Sequence, residues 1–186
     1  MRTIRAALLL AIVFLLGAAL AALAAPKIKA GQKAPDFALQ TTAGQTVKLS
    51  DYQGSKVVLV EFFSVSCPWC AKGAPTTRKL YDEHKTKGLQ LVAVNVAGDS
   101  ASNVDKWVAN NNYTGLPVLL DAALGAKQAY GVSILPTQVL VGKSGKVLQL
   151  YRGWLPKVEE ALAQDVAAAV SGQPLPKHRF PLVGYG

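Results

Sequence analysis

Two cysteines separated by two residues, directly after an apolar segment, constrain this chain more than any other feature. Residues 57–63 are an almost unbroken run of β-branched and aromatic side chains, which predicts a strand buried on both faces, as in parallel sheets. Cys67-Pro68-Trp69-Cys70 follows, and apolar residues then recur at helical spacing until Gly88, the predicted helix end. Both sulfurs are therefore expected where a buried strand leads into a helix.

This placement of the cysteines favours redox chemistry. Cys67 precedes the first helical turn, whose unpaired N–H groups and dipole stabilise a thiolate, and Cys70 lies close enough to form a disulfide with it. Pro68 suits a first turn, since that turn has no use for its missing N–H. Half a zinc site is the alternative, but zinc takes about four ligands, and the chain offers two cysteines and two histidines, His84 and His178. We predict a redox dithiol, with no metal site and no cofactor.

Residues 1–25 have the composition of an export signal. Arg2 and Arg5 precede an uncharged apolar segment, residues 6–25, in which Ala22-Leu23-Ala24 offers the small residues that a signal peptidase recognises. As a helix this segment would span about 30 Å, enough to cross a bilayer. It is expected to be either a signal peptide cleaved near Ala24 or a retained inner-membrane anchor. Either outcome places the rest of the chain in the periplasm or an equivalent extracytoplasmic compartment.

The chain beyond residue 25 has the composition of one globular domain. It belongs to a sequence of 186 residues that is 51% hydrophobic and 17% charged, which suits a single sizeable core. The formal net charge is +9, but the basic residues form no stripe interleaved with aromatics, so nucleic acid is not an expected partner. We predict a linker over residues 26–34, a domain over residues 35–171 and a Pro-rich tail over residues 172–186.

The order of the predicted elements indicates an α/β fold. Residues 35–40 and 45–49 are expected to pair as a hairpin, and residues 89–96 form a second buried strand. Strand, helix and strand make a right-handed βαβ unit with parallel strands. The remaining predictions are a helix capped by Ser100 or Ser102, an extended segment over 116–120, a helix from Asp121 to Tyr130, a proline-led strand ending at Val141, a strand over 147–152, and an amphipathic helix from Pro156 to Val170.

Four segments together resemble a known family. Residues 31–37, the turn at 49–54, the strand into Cys67–Cys70 and residues 131–137 resemble thioredoxin-fold proteins, and more narrowly the TlpA/ResA group of membrane-associated bacterial thiol-disulfide oxidoreductases, which is related to peroxiredoxins. The resemblance implies a central mixed sheet of four to five strands flanked by helices, with an N-terminal β-hairpin and a helical insert. It also implies a cis Leu135–Pro136 peptide that faces the dithiol, protein disulfides or dithiols as substrates, and a membrane thiol as electron donor.

Glu61 is the one charged residue of the buried strand, at the position where thioredoxin-like proteins carry a buried acid. Strand alternation directs its side chain towards the sulfurs. Burial should raise its pKa, which makes it the predicted general base for Cys70. The alternative is a carboxylate that reaches solvent or a lysine. Leu135 and Pro136 are predicted to hold an extended substrate chain, with further contacts from Pro68 and Trp69.

The predicted activity is disulfide exchange with protein substrates, in the reducing direction. Cys67 would attack a substrate disulfide, and Cys70 would resolve the mixed disulfide. Two alternatives stay open. A peroxiredoxin-like peroxidase is suggested by Ser64 three residues before Cys67, although Val60 stands where its proline belongs. A Cu(I)-binding chaperone would use both sulfurs.

Two positions depart from the pattern of the relatives. Ser66 stands where many carry a tryptophan before the first cysteine. Gly73 stands where those that mature cytochrome c often carry a glutamate. Both departures weigh against cytochrome c maturation as the specific role.

Overall fold

A seven-stranded mixed sheet forms the centre of the molecule. The computed structural model describes residues 28–183. β3 lies near the middle of the strand order β2-β1-β5-β4-β3-β6-β7 and pairs parallel with β4 and antiparallel with β6. The strands are β1 (Ala38–Thr41), β2 (Thr46–Lys48), β3 (Val57–Phe63), β4 (Leu89–Asn95), β5 (Val118–Leu120), β6 (Thr137–Val141) and β7 (Val147–Arg152).

The expected four to five strands are too few. The N-terminal hairpin β1–β2 does form as predicted, but β1 also pairs with β5. The hairpin therefore extends the central sheet to seven strands. The predicted strand–helix–strand unit is confirmed, since β3 and β4 are parallel neighbours connected through a helix.

Within the part of the chain that the structure describes, four α-helices pack on this sheet: α1 (Pro68–His84), α2 (Ala101–Asn110), α3 (Gly125–Ala129) and α4 (Pro156–Val170). The Ser100 side chain caps α2 by accepting from the Asn103 N–H. The prediction of a helix from Asp121 to Tyr130 is wrong at its start, because Leu124 adopts a left-handed backbone conformation with φ 56°. Asp121 still caps the shorter α3 by accepting from the Lys127 N–H at 2.7 Å.

Alternate residues of β3 separate two hydrophobic layers. Val57, Leu59 and Phe63 pack with side chains of α1, α2 and α4, including Cys70. Val58, Val60 and Phe62 pack on the opposite face with α3 and the N-terminal segment. Because both faces are covered, β3 is buried along its whole length. The position and direction of the segment that leads from β3 to Cys67 are therefore fixed by the core.

The ends of the described chain are bound to the domain. The predicted linker, residues 26–34, is hydrogen-bonded to the domain where it is described: Gly31 donates to Val147 O and Ala34 donates to Gly145 O. The C-terminal segment contains neither helix nor strand over residues 173–182. It packs on the domain all the same: His178 bonds to the buried Asp165, and Arg152 donates to Leu182 O.

The predicted signal or anchor, residues 1–25, lies outside the described residues. Among residues 28–183, the helices are too short or too polar to cross a membrane.

Candidate active site

The two cysteines lie at the N-terminus of α1 as predicted. Cys67 is the N-cap residue and Pro68 the first residue of the helix. The Cys67 sulfur accepts a hydrogen bond from the Cys70 N–H at 3.1 Å and is bonded to the Cys70 sulfur in a disulfide. Cys67 is partly exposed, whereas Cys70 is 1% exposed. An incoming thiolate or disulfide can therefore reach the first sulfur and not the second.

The segment before Cys67 is held by a carboxylate from the loop that follows β4. Asp99 Oδ2 accepts from the Val65 N–H at 3.0 Å and from the amide of Asn95 at 2.7 Å. Asn95 is buried at the last position of β4. These contacts join the approach to the dithiol to the neighbouring strand. Asp99 was not predictable from the sequence, because nothing in its local pattern distinguishes it from any other loop aspartate.

The peptide between Leu135 and Pro136 is cis, as the family resemblance implies. Pro136 is buried, and its carbonyl accepts from the Gly153 N–H at 2.7 Å. Leu135 is partly exposed and packs against both hydrophobic clusters, one of which contains Cys70 and includes Cys67 at its edge. Leu135 therefore lies where the two faces of the sheet meet, in contact with the cluster that holds the disulfide.

Glu61 is buried beneath the dithiol side of the sheet. The residue is 1% exposed, and its carboxyl group accepts from the Tyr113 hydroxyl at 2.5 Å and from the Gln138 amide at 3.1 Å. The same amide lies 3.2 Å from the Thr77 hydroxyl, on the face of α1 that also carries Cys70. The alternative of a carboxylate that reaches solvent or a lysine is not what the structure shows.

Burial raises the pKa of Glu61 from 4.5 to about 7. Hydrogen bonds from Tyr113, Gln138 and Thr77 act in the opposite direction, and the charge of Glu159 raises the pKa further. A carboxyl group with this pKa exchanges a proton readily near neutral pH. Its environment therefore suits a base that works on a thiol.

Tyr113 is a site residue that the sequence analysis missed. It follows Asn112, whose backbone is left-handed with φ 60°, and its ring packs edge-on against Trp107. Arg78 of α1 holds the loop by donating to the carbonyls of Asn112 and Thr114 at 2.5 and 3.2 Å. Burial and the Glu61 carboxyl raise the pKa of Tyr113 well above its usual range, so it remains a donor.

Trp69, the second residue between the cysteines, stacks on Trp154 in the segment that joins β7 to α4. The ring centroids are 5.7 Å apart with 10° between the planes. The Lys72 amino group lies 4.3 Å from the Trp154 centroid. Trp154 Nε1 donates to Glu159 at 2.6 Å. The sequence analysis named Trp69 but neither Trp154 nor Glu159.

Possible metal ligands are not grouped in the described part of the chain. Among residues 28–183, no three His, Cys, Asp or Glu side chains are placed to hold a metal ion. His178 is engaged with Asp165.

Comparisons with known proteins agree with this geometry. The family model described as Redoxin matches residues 29–166. The thiol-disulfide oxidoreductase ResA of Bacillus subtilis is 36% identical over 126 residues, which cover 68% of this chain and 69% of that protein. ResA of Geobacillus thermodenitrificans is 35% identical over 130 residues, or 70% and 73% of the two chains.

A solved structure extends the similarity to the fold. A crystal structure of a protein assigned as thiol:disulfide interchange protein DsbE, from Chlorobium tepidum, superposes with a TM-score of 0.71 at 36% identity. The match covers 77% of this chain and 99% of that one.

Proposed function

The chain belongs to the Redoxin family, among the ResA-like thiol-disulfide oxidoreductases, and on this premise we propose that it reduces disulfide bonds of proteins outside the cytoplasm. The observation that carries the proposal is the asymmetric pair at the start of α1, with Cys67 accessible and Cys70 buried. This asymmetry supports attack by Cys67 and resolution by Cys70.

The first step is attack on the substrate. In the reduced enzyme the Cys67 sulfur is favoured as a thiolate by the N–H groups and dipole of α1. It attacks one sulfur of a substrate disulfide, forming a mixed disulfide and expelling the other substrate sulfur as a thiolate, which takes up a proton from water.

The second step is resolution. Cys70 loses its proton to the Glu61 carboxylate, whose pKa of about 7 leaves it about half ionised near neutral pH. The Cys70 thiolate attacks the Cys67 sulfur, which closes the enzyme disulfide and releases the second substrate thiolate. Two electrons pass from the enzyme to the substrate, and Glu61 returns its proton afterwards.

Substrate binding is assigned to the surface around Cys67. Leu135 is partly exposed and contacts the hydrophobic cluster that holds the disulfide, and the buried Pro136 after it is anchored by the hydrogen bond from Gly153. Pro68 and Trp69 lie in the dipeptide between the sulfurs and add contacts from α1. An extended peptide carrying the disulfide fits this arrangement.

The location and the electron source are proposed from the sequence. The basic start and apolar residues 6–25 support export, followed by cleavage near Ala24 or retention as an inner-membrane anchor. A protein that works as a reductase outside the cytoplasm needs its disulfide reduced again, and a membrane thiol protein is the proposed donor. Fractionation of cells expressing the full chain, with an intact-mass measurement of the mature form, tests both the location and the cleavage.

The activity is tested with oxidised insulin and a fluorescent disulfide peptide, using dithiothreitol as the reductant. The wild-type protein should accelerate reduction, whereas Cys67→Ser should abolish the acceleration. Cys70→Ser should accumulate a covalent mixed disulfide with the peptide. Absence of acceleration and of a trapped adduct would refute the proposed function, and faster consumption of hydrogen peroxide than of disulfide would point to a thiol peroxidase instead. Tight stoichiometric Cu(I) binding without reductase activity would favour the chaperone.

A further inference from the structure

Gly73 leaves room for two side chains of another element beside the dithiol helix. It follows Cys70 by three positions, so the two residues lie on one face of α1 with Cβ positions about 5–6 Å apart. A Cβ atom on Gly73 would lie 3.0 Å from Trp154 Cδ1 and 3.5 Å from Glu159 Oε1. The absence of a side chain at Gly73 therefore lets the Glu159 carboxyl approach the side of α1 on which the buried Cys70 lies.

Glu159 is held in this position by several contacts. Trp154 donates to its Oε1 at 2.6 Å, and Trp154 is itself stacked on Trp69 between the two cysteines. The side chain of Thr76 in α1 also acts on the Glu159 carboxyl and lowers its pKa. The carboxyl group thus belongs to α4 in sequence, but it is fixed against the helix that carries the dithiol.

Two charged groups from other elements act on Glu159, which itself lies in the first turn of α4. Lys72 of α1 attracts it, and Glu61 of β3 repels it. Partial burial raises the pKa of Glu159, while the Trp154 and Thr76 hydrogen bonds and Lys72 lower it. In turn, the charge of Glu159 raises the pKa of Glu61. The two carboxyl groups are therefore electrostatically coupled beside the cysteines.

We propose that Glu159 makes the Cys67–Cys70 pair more reducing by placing a negative charge beside the thiolate that exists only in the reduced protein. The disulfide carries no charge, so the carboxylate leaves its free energy nearly unchanged, whereas it destabilises the reduced form once a thiol has ionised. This inference deepens the proposed function and rests on it. Glu159 acts here as a positioning residue, through its charge and not through contact with the substrate.

The test is the equilibrium of the protein with reduced and oxidised glutathione at pH 8 and pH 6, quenched by acid and quantified by mass spectrometry. Glu159→Gln keeps the oxygen that accepts from Trp154 and removes the charge. At pH 8 it should move the equilibrium about three- to tenfold towards the dithiol, the size expected for one unit charge that acts on a thiolate at a partly solvated site. At pH 6 the effect should be smaller, since fewer thiols and carboxyls are ionised.

Glu160→Gln is the matched control, because Glu160 is the next residue of α4 and is exposed. It should leave the glutathione equilibrium unchanged. A second readout is thiolate absorbance at 240 nm in the reduced proteins, whose midpoint should occur at lower pH in Glu159→Gln than in Glu160→Gln.

Three outcomes overturn the inference. If Glu159→Gln and Glu160→Gln have the same equilibrium constant with glutathione at pH 8, the charge of Glu159 does not act on the cysteine pair. An equal displacement at both pH values shows that altered packing, and not charge, is responsible. Failure of the wild-type protein to exchange with glutathione or insulin refutes the proposed function itself and the inference with it.

Discussion

Replacing Glu61 by Gln should stabilise the oxidised protein in alkaline solution and not in acid. The pKa of Glu61 is about 7 in the folded protein against an ordinary value of 4.5. Below pH 4.5 the group is protonated in both states and its ionisation costs nothing. Between these values the unfolded chain releases a proton that the folded protein retains, so stability falls as the pH rises.

The magnitude follows from the difference between the two pKa values. Each pH unit between them is worth about 1.4 kcal/mol, so above pH 7 the buried carboxyl lowers the free energy of unfolding by about 3 kcal/mol. Gln has nearly the same shape and no charge. The free energy of unfolding of Glu61→Gln minus that of the wild type should therefore rise by about 3 kcal/mol from pH 4 to pH 8.

The assay is urea denaturation of the oxidised proteins at half-unit pH steps, with the disulfide intact throughout. Glu83→Gln, an exposed carboxyl of α1, is the control and should show no comparable rise. If the difference in free energy of unfolding between Glu61→Gln and the wild type stays constant between pH 4 and pH 8, Glu61 has the same pKa in the folded and unfolded states. The assignment of Glu61 as a general base would then lose its physical basis.

Two further changes test the contacts around the site and the tail. Tyr113→Phe removes a hydrogen bond to the Glu61 carboxyl, which should raise the pKa of Glu61. Loss of such a bond destabilises the carboxylate by about 1.5–3 kcal/mol, so the fraction of Glu61 that is ionised at pH 7 should fall from about half to a tenth or less. Resolution of the mixed disulfide, measured by quenched flow, should therefore need a higher pH in Tyr113→Phe than in the wild type. An identical pH profile for the two proteins would contradict this. His178→Ala removes a partner of the buried Asp165 and should cost about 2 kcal/mol in urea denaturation, with faster proteolysis of the tail. Lys177→Ala, which is exposed, should change neither.

The central part of the fold was predictable because its signals are local. The apolar run at Val57–Phe63, the helix start at Pro68 and the glycine stop at Gly88 each depend on neighbours a few positions away. The pairing of the hairpin with β5 was not predictable in this way. It joins segments about 80 residues apart, and nothing in either segment specifies the other.

The same division applies to the site. The positions of Cys67 and Cys70 could be inferred from spacing alone, and the importance of Glu61 followed from a lone charge in an apolar strand. The partners that set its pKa could not be inferred, because Tyr113 and Gln138 lie 52 and 77 residues away in sequence.

Glu159 shows most clearly why local sequence signals do not reveal the electrostatic environment of a residue. Periodicity and capping describe how a residue relates to its own helix or strand, whereas its electrostatic environment depends on which other elements approach it. Gly73 in one helix and Trp154 before another together bring Glu159 against the helix that carries the dithiol. The sequence of residues 67–70 is enough to predict a redox dithiol. The acidity of the carboxyl groups around it depends on the packing of segments that are distant in sequence.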